Sequence, residues 1–192
     1  MHYIVETNNT KFLNKKIIFV QGSPVLGSVN GIKTGRLSGI VAHYTPAFLR
    51  KNTMPSWEVN CIEDWEKKIE TISTETLNED MAAIGGIPPW VVMYFDKLLS
   101  LSKKKTISEI FPSFSLFVYG GVNFSPYKNV FKKLIGKEID SIEYYPPSEG
   151  FFAYQDLQKK EGISIQLNSG LVPYNILHLP PTSYVSTSVA TV

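Results

Sequence analysis

Short apolar runs that stop at glycine or proline recur along this chain, and between them apolar residues return at helical spacing. Lys16-Ile17-Ile18-Phe19-Val20-Gln21 stops at Gly22-Ser23-Pro24, which predicts a buried strand and a turn. Met81-Ala82-Ala83-Ile84-Gly85 stops at Gly86-Ile87-Pro88-Pro89. It predicts a strand, a turn and a helix opening near Pro89, with Trp90, Tyr94, Leu98 and Leu101 facing inward. Ser115-Leu116-Phe117-Val118-Tyr119 is the clearest strand, ended by Gly120-Gly121. Ile139 to Tyr144 reads as the next strand, and Phe151 to Tyr154 with Ile163 to Leu167 as two arms of a strand pair.

Two helices stand between these runs. Asn60 is placed to cap the first, with Glu63 reaching back to it. Ile62, Trp65, Ile69 and Ile72 fall on one stripe, leaving Glu66, Lys67, Lys68 and Glu70 to face out. This helix is expected from about Ile62 to about Asn78. Ser125-Pro126 predicts the second, with serine as the cap and proline at the first helical position. Tyr127, Val130, Phe131 and Leu134 give its apolar stripe. Ile107, Ile110 and Phe111 suggest a shorter helical piece that ends at Pro112. Residues 22–60 are rich in Gly, Ser, Pro and Asn, and read as loop with at most short helices around Arg36 to Tyr44.

Strand and helix alternate from residue 80 to 145. Strands joined through helices lie parallel with right-handed crossovers, so the fold class is α/β, a mostly parallel layered sheet with helices packed on it. Ligands of such sheets collect at the carboxyl ends of the strands. Gly85-Gly86, Gly120-Gly121 and the turn from Pro146 to Gly150 all belong to that end.

Composition changes this picture little. With 192 residues, 43% hydrophobic and 12% aromatic, the chain can build a real core. A net charge of +2 gives no reason to expect nucleic acid or an acidic membrane surface as partner. Lys103-Lys104-Lys105 and Lys132-Lys133 read as solvated helix ends. The single cysteine, Cys61, excludes an internal disulfide and has no His nearby in sequence to make it a nucleophile. The N-terminus lacks a basic start followed by an apolar core, and no apolar run approaches bilayer length, so a cytoplasmic protein without a membrane is expected. His43, with no second ligand at metal spacing, reads as structural.

The densest chemistry lies in Glu143-Tyr144-Tyr145-Pro146-Pro147-Ser148-Glu149-Gly150-Phe151-Phe152-Ala153-Tyr154-Gln155-Asp156. Tyr145 offers a ring for a base, Ser148 a hydroxyl for a phosphate, and Glu149 a carboxylate for Mg²⁺. The same grouping also fits a plain turn carrying an exposed acid. Two further segments accompany it: Gly120-Gly121-Val122-Asn123-Phe124-Ser125-Pro126-Tyr127 and Gly85-Gly86-Ile87-Pro88-Pro89-Trp90. Paired glycines let a flat ligand approach the backbone, and a helix opening at Pro126 would aim its positive end at the same crevice.

Together these segments resemble the auxin-responsive-promoter family of acyl-acid amido synthetases, in its bacterial form, within the acyl-adenylate-forming enzymes. The resemblance covers about residues 10–170, and takes in Phe19-Val20-Gln21-Gly22-Ser23-Pro24 and Gly35-Arg36-Leu37-Ser38-Gly39-Ile40 as family markers. It implies the large N-terminal domain of an adenylate-forming enzyme that activates a small carboxylic acid with ATP and Mg²⁺, then passes the acyl group to an amine such as an amino acid. It further implies that Ser148 and Glu149 serve catalysis, with Glu149 on the metal. Gly120, Gly121, Val122, Tyr145 and Ser148 would meet the nucleotide, and Gly86, Pro88 and Trp90 the acid.

Two departures qualify this. Pro146 and Pro147 stand where relatives carry small or polar residues, and Pro147 removes a backbone N–H beside the adenine. The family's phosphate loop lies before the segment matching residue 16, and its ribose-binding aspartate and mobile C-terminal domain follow residue 170. The expectation is therefore a fragment: residues 1–170 as a partial large domain, inactive or nearly so alone, and residues 171–192 as an atypical tail from a shifted reading frame. No Asp, Glu, Lys or Arg follows Glu161. Such a fragment would self-associate through exposed edges. The alternatives are a complete small enzyme or nucleotide-binding module that shares the turn, and a non-catalytic interaction protein that docks through its tail.

Overall fold

The computed structural model describes residues 15–145, 153–155, 164–165 and 186–187. Ten strands lie in two sheets: β1 Lys16–Val20, β2 Gly27–Val29, β3 Ile32–Thr34, β4 Thr53–Met54, β5 Met81–Gly86, β6 Leu116–Tyr119, β7 Asp140–Tyr145, β8 Ala153–Tyr154, β9 Ser164–Ile165 and β10 Ser186–Thr187. The main sheet has the order β10-β9-β8-β7-β6-β5-β1-β4, and β2 with β3 makes a separate hairpin. From β4 to β7 every pairing is parallel, and β7–β8 and β8–β9 are antiparallel. The α/β class and the parallel sheet read from the sequence are both present.

Seven α-helices are described: α1 Leu37–Tyr44, α2 Ala47–Arg50, α3 Trp57–Asn60, α4 Trp65–Thr76, α5 Pro88–Ser102, α6 Ile107–Ile110 and α7 Lys128–Ile135. The crossovers through α4, through α5 and α6, and through α7 all advance in one direction across the sheet. Right-handed connection then stacks these helices on one face. The core lies under them. Ile18, Ile84 and Phe117 occupy one register row across β1, β5 and β6, and pack against Val91, Phe95 and Phe131. The Phe131 ring lies 4.6 Å from Phe117 and 5.5 Å from Phe95. Ala83 and Leu116, with Ile17, Val118 and Ile142, form a second, smaller cluster.

Helix α4 starts later than its periodicity suggests. Asn60 ends α3, and Asp64 is the cap, its Oδ1 accepting from the Lys67 N–H at 2.7 Å. A carboxylate one residue before the helix satisfies an end N–H and sits favourably on the helix dipole, which Asn60 and Glu63 do not do. Asp64→Ala is expected to cost about 1 kcal/mol in urea unfolding, whereas Glu63→Ala should leave stability unchanged. The inward stripe is read correctly at Ile69 and Ile72, but Lys68 does not face out. It is 1% exposed. The Tyr94 hydroxyl of α5 meets the Thr76 hydroxyl of α4 at 2.7 Å inside the core, where burial pushes the phenol pKa up.

Other expectations shift by a turn. Leu101 and Val130 are exposed, and Ile135 takes an inward place on α7. A 3-10 turn at Ser125–Tyr127 precedes α7, so the helix does not open at Pro126 and Ser125 is no cap. The Asn123 side chain instead accepts from the Ser125 N–H at 2.8 Å. Residues 22–60, read as mostly loop, hold the hairpin, three short helices and the parallel edge strand β4. Lys103, Lys104, Lys105, Lys132 and Lys133 are exposed, as expected.

Candidate functional site

The parallel strands β1, β5, β6 and β7 end side by side, and glycine lets their ends close up. Gly86 closes β5 with φ +157°, and a Cβ there would lie 2.8 Å from the Val20 carbonyl oxygen and 2.9 Å from Val91 Cγ2. Gly120 follows β6, where a Cβ would lie 2.5 Å from the Tyr144 carbonyl oxygen. Gly121 takes φ +84° and faces the Ile87 side chain, whose residue caps α5. Glycine thus links four strand ends into one backbone floor, at the edge where parallel sheets bind ligands.

On the β6–β7 side, Gly121, Val122 and Tyr145 are exposed, Tyr145 at 47%. A flat base would meet open backbone there, with an aromatic ring within the same edge. Behind it, the Tyr119 hydroxyl donates to Glu143 Oε2 at 3.5 Å. Gln155 brackets Glu143, its N–H donating to the Glu143 carbonyl at 2.7 Å and its Oε1 accepting the Glu143 N–H at 3.2 Å. Burial raises the Glu143 pKa, against the pull of Tyr119 and of Lys128.

On the β1–β5 side, Pro88 is buried at the first turn of α5 and Trp90 is half-buried beside it. The Trp90 ring packs on Trp65 of α4 at 4.4 Å. One helical turn further, Lys68 Nζ donates to the Asn60 carbonyl at 2.5 Å. The Ser23 hydroxyl, just past β1, donates to the Cys61 carbonyl at 3.3 Å, which brings this cluster to the carboxyl edge. A Cβ on Gly22 would collide with the Arg36 guanidinium, so arginine lies across that turn. Burial pushes the Lys68 ammonium down to about 8, with Cys61 opposing and Arg36 adding to the shift.

The structure therefore brings Gly86, Pro88, Trp90, Gly120, Gly121, Val122 and Tyr145 to one edge of the sheet. Ser148 and Glu149 lie outside the described residues. Lys68, Arg36, Trp65 and Glu143 were not read as site residues. For Lys68 a signal existed, because it lies one turn from Trp65 on the stripe side of α4. His43, read as structural, packs edge-on against Trp57 at 4.8 Å.

The model of the GH3 family N-terminal domain matches residues 23–139, more than half of the chain. The chain belongs to the GH3 family. This is the auxin-responsive family of acyl-acid amido synthetases. The matched GH3 segment runs from the turn after β1 to the residue before β7. It contains Gly86, Pro88, Trp90, Gly120, Gly121 and Val122, whereas Tyr145, Ser148 and Glu149 follow it. Within the GH3 domain, Arg36, Asn60, Trp65 and Lys68 also lie in the matched part. No curated protein matches the chain. Among the described residues, no helix is long and apolar enough to cross a membrane.

Proposed function

We propose that this chain supplies the sheet and acid-pocket wall of an ATP-dependent acyl-acid amido synthetase. The reading is carried by one observation: within a GH3 domain, glycines bring the ends of β1, β5, β6 and β7 into one continuous floor. In this reading the acid lies over Gly86, Pro88 and Trp90, and the nucleotide over Gly120, Gly121, Val122 and Tyr145. Ser148 would reach a phosphate oxygen, and Glu149 would hold Mg²⁺, which supplies charge neutralisation on the phosphates.

A carboxylate oxygen attacks the α-phosphorus of ATP as the bond to pyrophosphate breaks. An amine then attacks the acyl carbon, and AMP leaves. The protein's part is to align two anions and exclude water, which the close backbone floor serves. Family chemistry of this kind fixes neither the acid nor the amine.

Acid-dependent ATP–pyrophosphate exchange tests the proposal, run on this chain and on a form extended to the length of family enzymes. Exchange that requires the acid is expected in the extended form and at a much lower rate in this chain. Tyr145→Ala should lower it by roughly tenfold, the effect of one lost stacking contact on the base. Exchange in neither form would remove the reading.

A further inference from the structure

We propose that the open flank of α7 against β7 is a separate ligand site, away from the carboxyl edge of the sheet, and that it takes a compact apolar molecule bearing one carboxylate. The inference does not rest on the adenylation reading.

A cavity of about 260 Å³ lies between α7 and the β6–β7 row. A small residue leaves it open. Phe117 of β6 and Ser141 of β7 are register partners, so both face α7. Phe117 fills its share of the space, its ring 4.6 Å from Phe131. Ser141 does not fill its share, and among the described residues no helix follows β7 to close the gap. The bottom is apolar, made by Phe117, Phe131, Ile135 and Ile139. A dry cavity of about 150 Å³ admits benzene, so this volume admits a six-membered ring with a carboxyl group.

The rim sets the charge. Lys128 and Lys132 stand one turn apart on α7, and Lys137 follows on the loop that leads into β7. Two carboxylates answer them. Glu138 lies on the rim and accepts from Lys132 Nζ at 2.6 Å. Glu143, on the same face of β7 as Ser141, acts on Lys128. Lys137 Nζ donates to the neutral Pro112 carbonyl at 3.0 Å. Three cations against two anions leave one positive charge in excess above an apolar floor. A monoanion with an apolar body complements both. Position keeps this site apart from the candidate nucleotide side. Ser141 precedes Tyr145 by four residues, about 13 Å along the strand.

The test is a protein-observed NMR titration of the full chain, without nucleotide, with cyclohexanecarboxylate and with cyclohexanecarboxamide. The two probes share shape and differ by the charge. Saturable shifts centred on the amides of Ile135, Ile139 and Ser141 are expected. The carboxylate should bind about threefold to fivefold tighter, the scale of an ion pair open to solvent. Lys128→Gln combined with Lys137→Gln should bring that preference to near unity. Ser141→Leu fills the space and should weaken both probes by at least about tenfold. The lysine variant carries the test if Ser141→Leu does not fold. No saturable shift, equal or tighter binding of the amide, shifts centred on Gly86 and Trp90 instead, or binding undiminished in Ser141→Leu would overturn the inference. So would movement of the same amides with protein concentration alone, which would put a second copy of the chain on this flank.

Discussion

Valine at Gly86 is expected to destabilise the fold by roughly 4 kcal/mol. Two costs combine. The residue holds φ +157°, which a β-branched side chain rarely adopts, at about 1–3 kcal/mol. The added carbon would also sit 2.8 Å from the Val20 carbonyl oxygen, a backbone atom fixed by the β1–β5 ladder, and 2.9 Å from Val91 Cγ2. Neither neighbour yields cheaply, because Val20 is paired with Gly86 itself and Val91 is buried in the core. For a chain of this size the melting temperature should drop by about 10 °C, followed by circular dichroism. Alanine should cost only somewhat less, because its Cβ meets the same two atoms at the same φ and only the branched carbons are missing. A valine variant melting within about 2 °C of the parent would show that β1 and β5 do not close over this position as described.

The strands, and with them the fold class, are legible because their apolar runs stop at glycine or proline. Met81 to Gly86 and Leu116 to Tyr119 needed only length and punctuation. Helix starts were less legible. Asn60 and Asp64 are both good caps by type, and which one serves depends on where α3 ends, a tertiary fact. The strand β4 has two residues, Thr53 and Met54, too few for any periodicity to mark. The site divides the same way. Glycine at strand ends follows from backbone geometry, so Gly86 and Gly120 could be named. Lys68 was harder to name, since its place one turn from Trp65 puts it on the stripe side while its residue type reads as solvated. Its burial follows from α3 folding back over the start of α4, where Asn60 offers a carbonyl.

Methionine at Lys68 should make the protein more stable, by about 2 kcal/mol at neutral pH. The amine is 1% exposed, and burial holds its pKa near 8 against an ordinary 10.5. A depression of that size corresponds to a penalty on the order of 3 kcal/mol for carrying the charged form into the native state. Losing the bond to the Asn60 carbonyl returns about 1 kcal/mol of it, and an apolar chain of similar length fills the same space. The pH dependence fixes the cause. Below about 8 the ammonium is charged in both native and unfolded states, so the penalty is full and constant. Between about 8 and 10.5 the native state sheds a proton that the unfolded chain keeps, and parent stability rises with pH relative to Lys68→Met. Urea unfolding of both proteins from pH 6.5 to 10.5 should show the gap constant at first and then closing. A gap independent of pH would mean that the gain came from packing and that Lys68 carries no penalty. A methionine variant less stable than the parent at pH 7 would mean that Lys68 is paired in a way the Asn60 carbonyl alone does not account for. The expected outcome is a lysine held in the core at a cost to stability, because its charge meets there only the Asn60 carbonyl among the described residues.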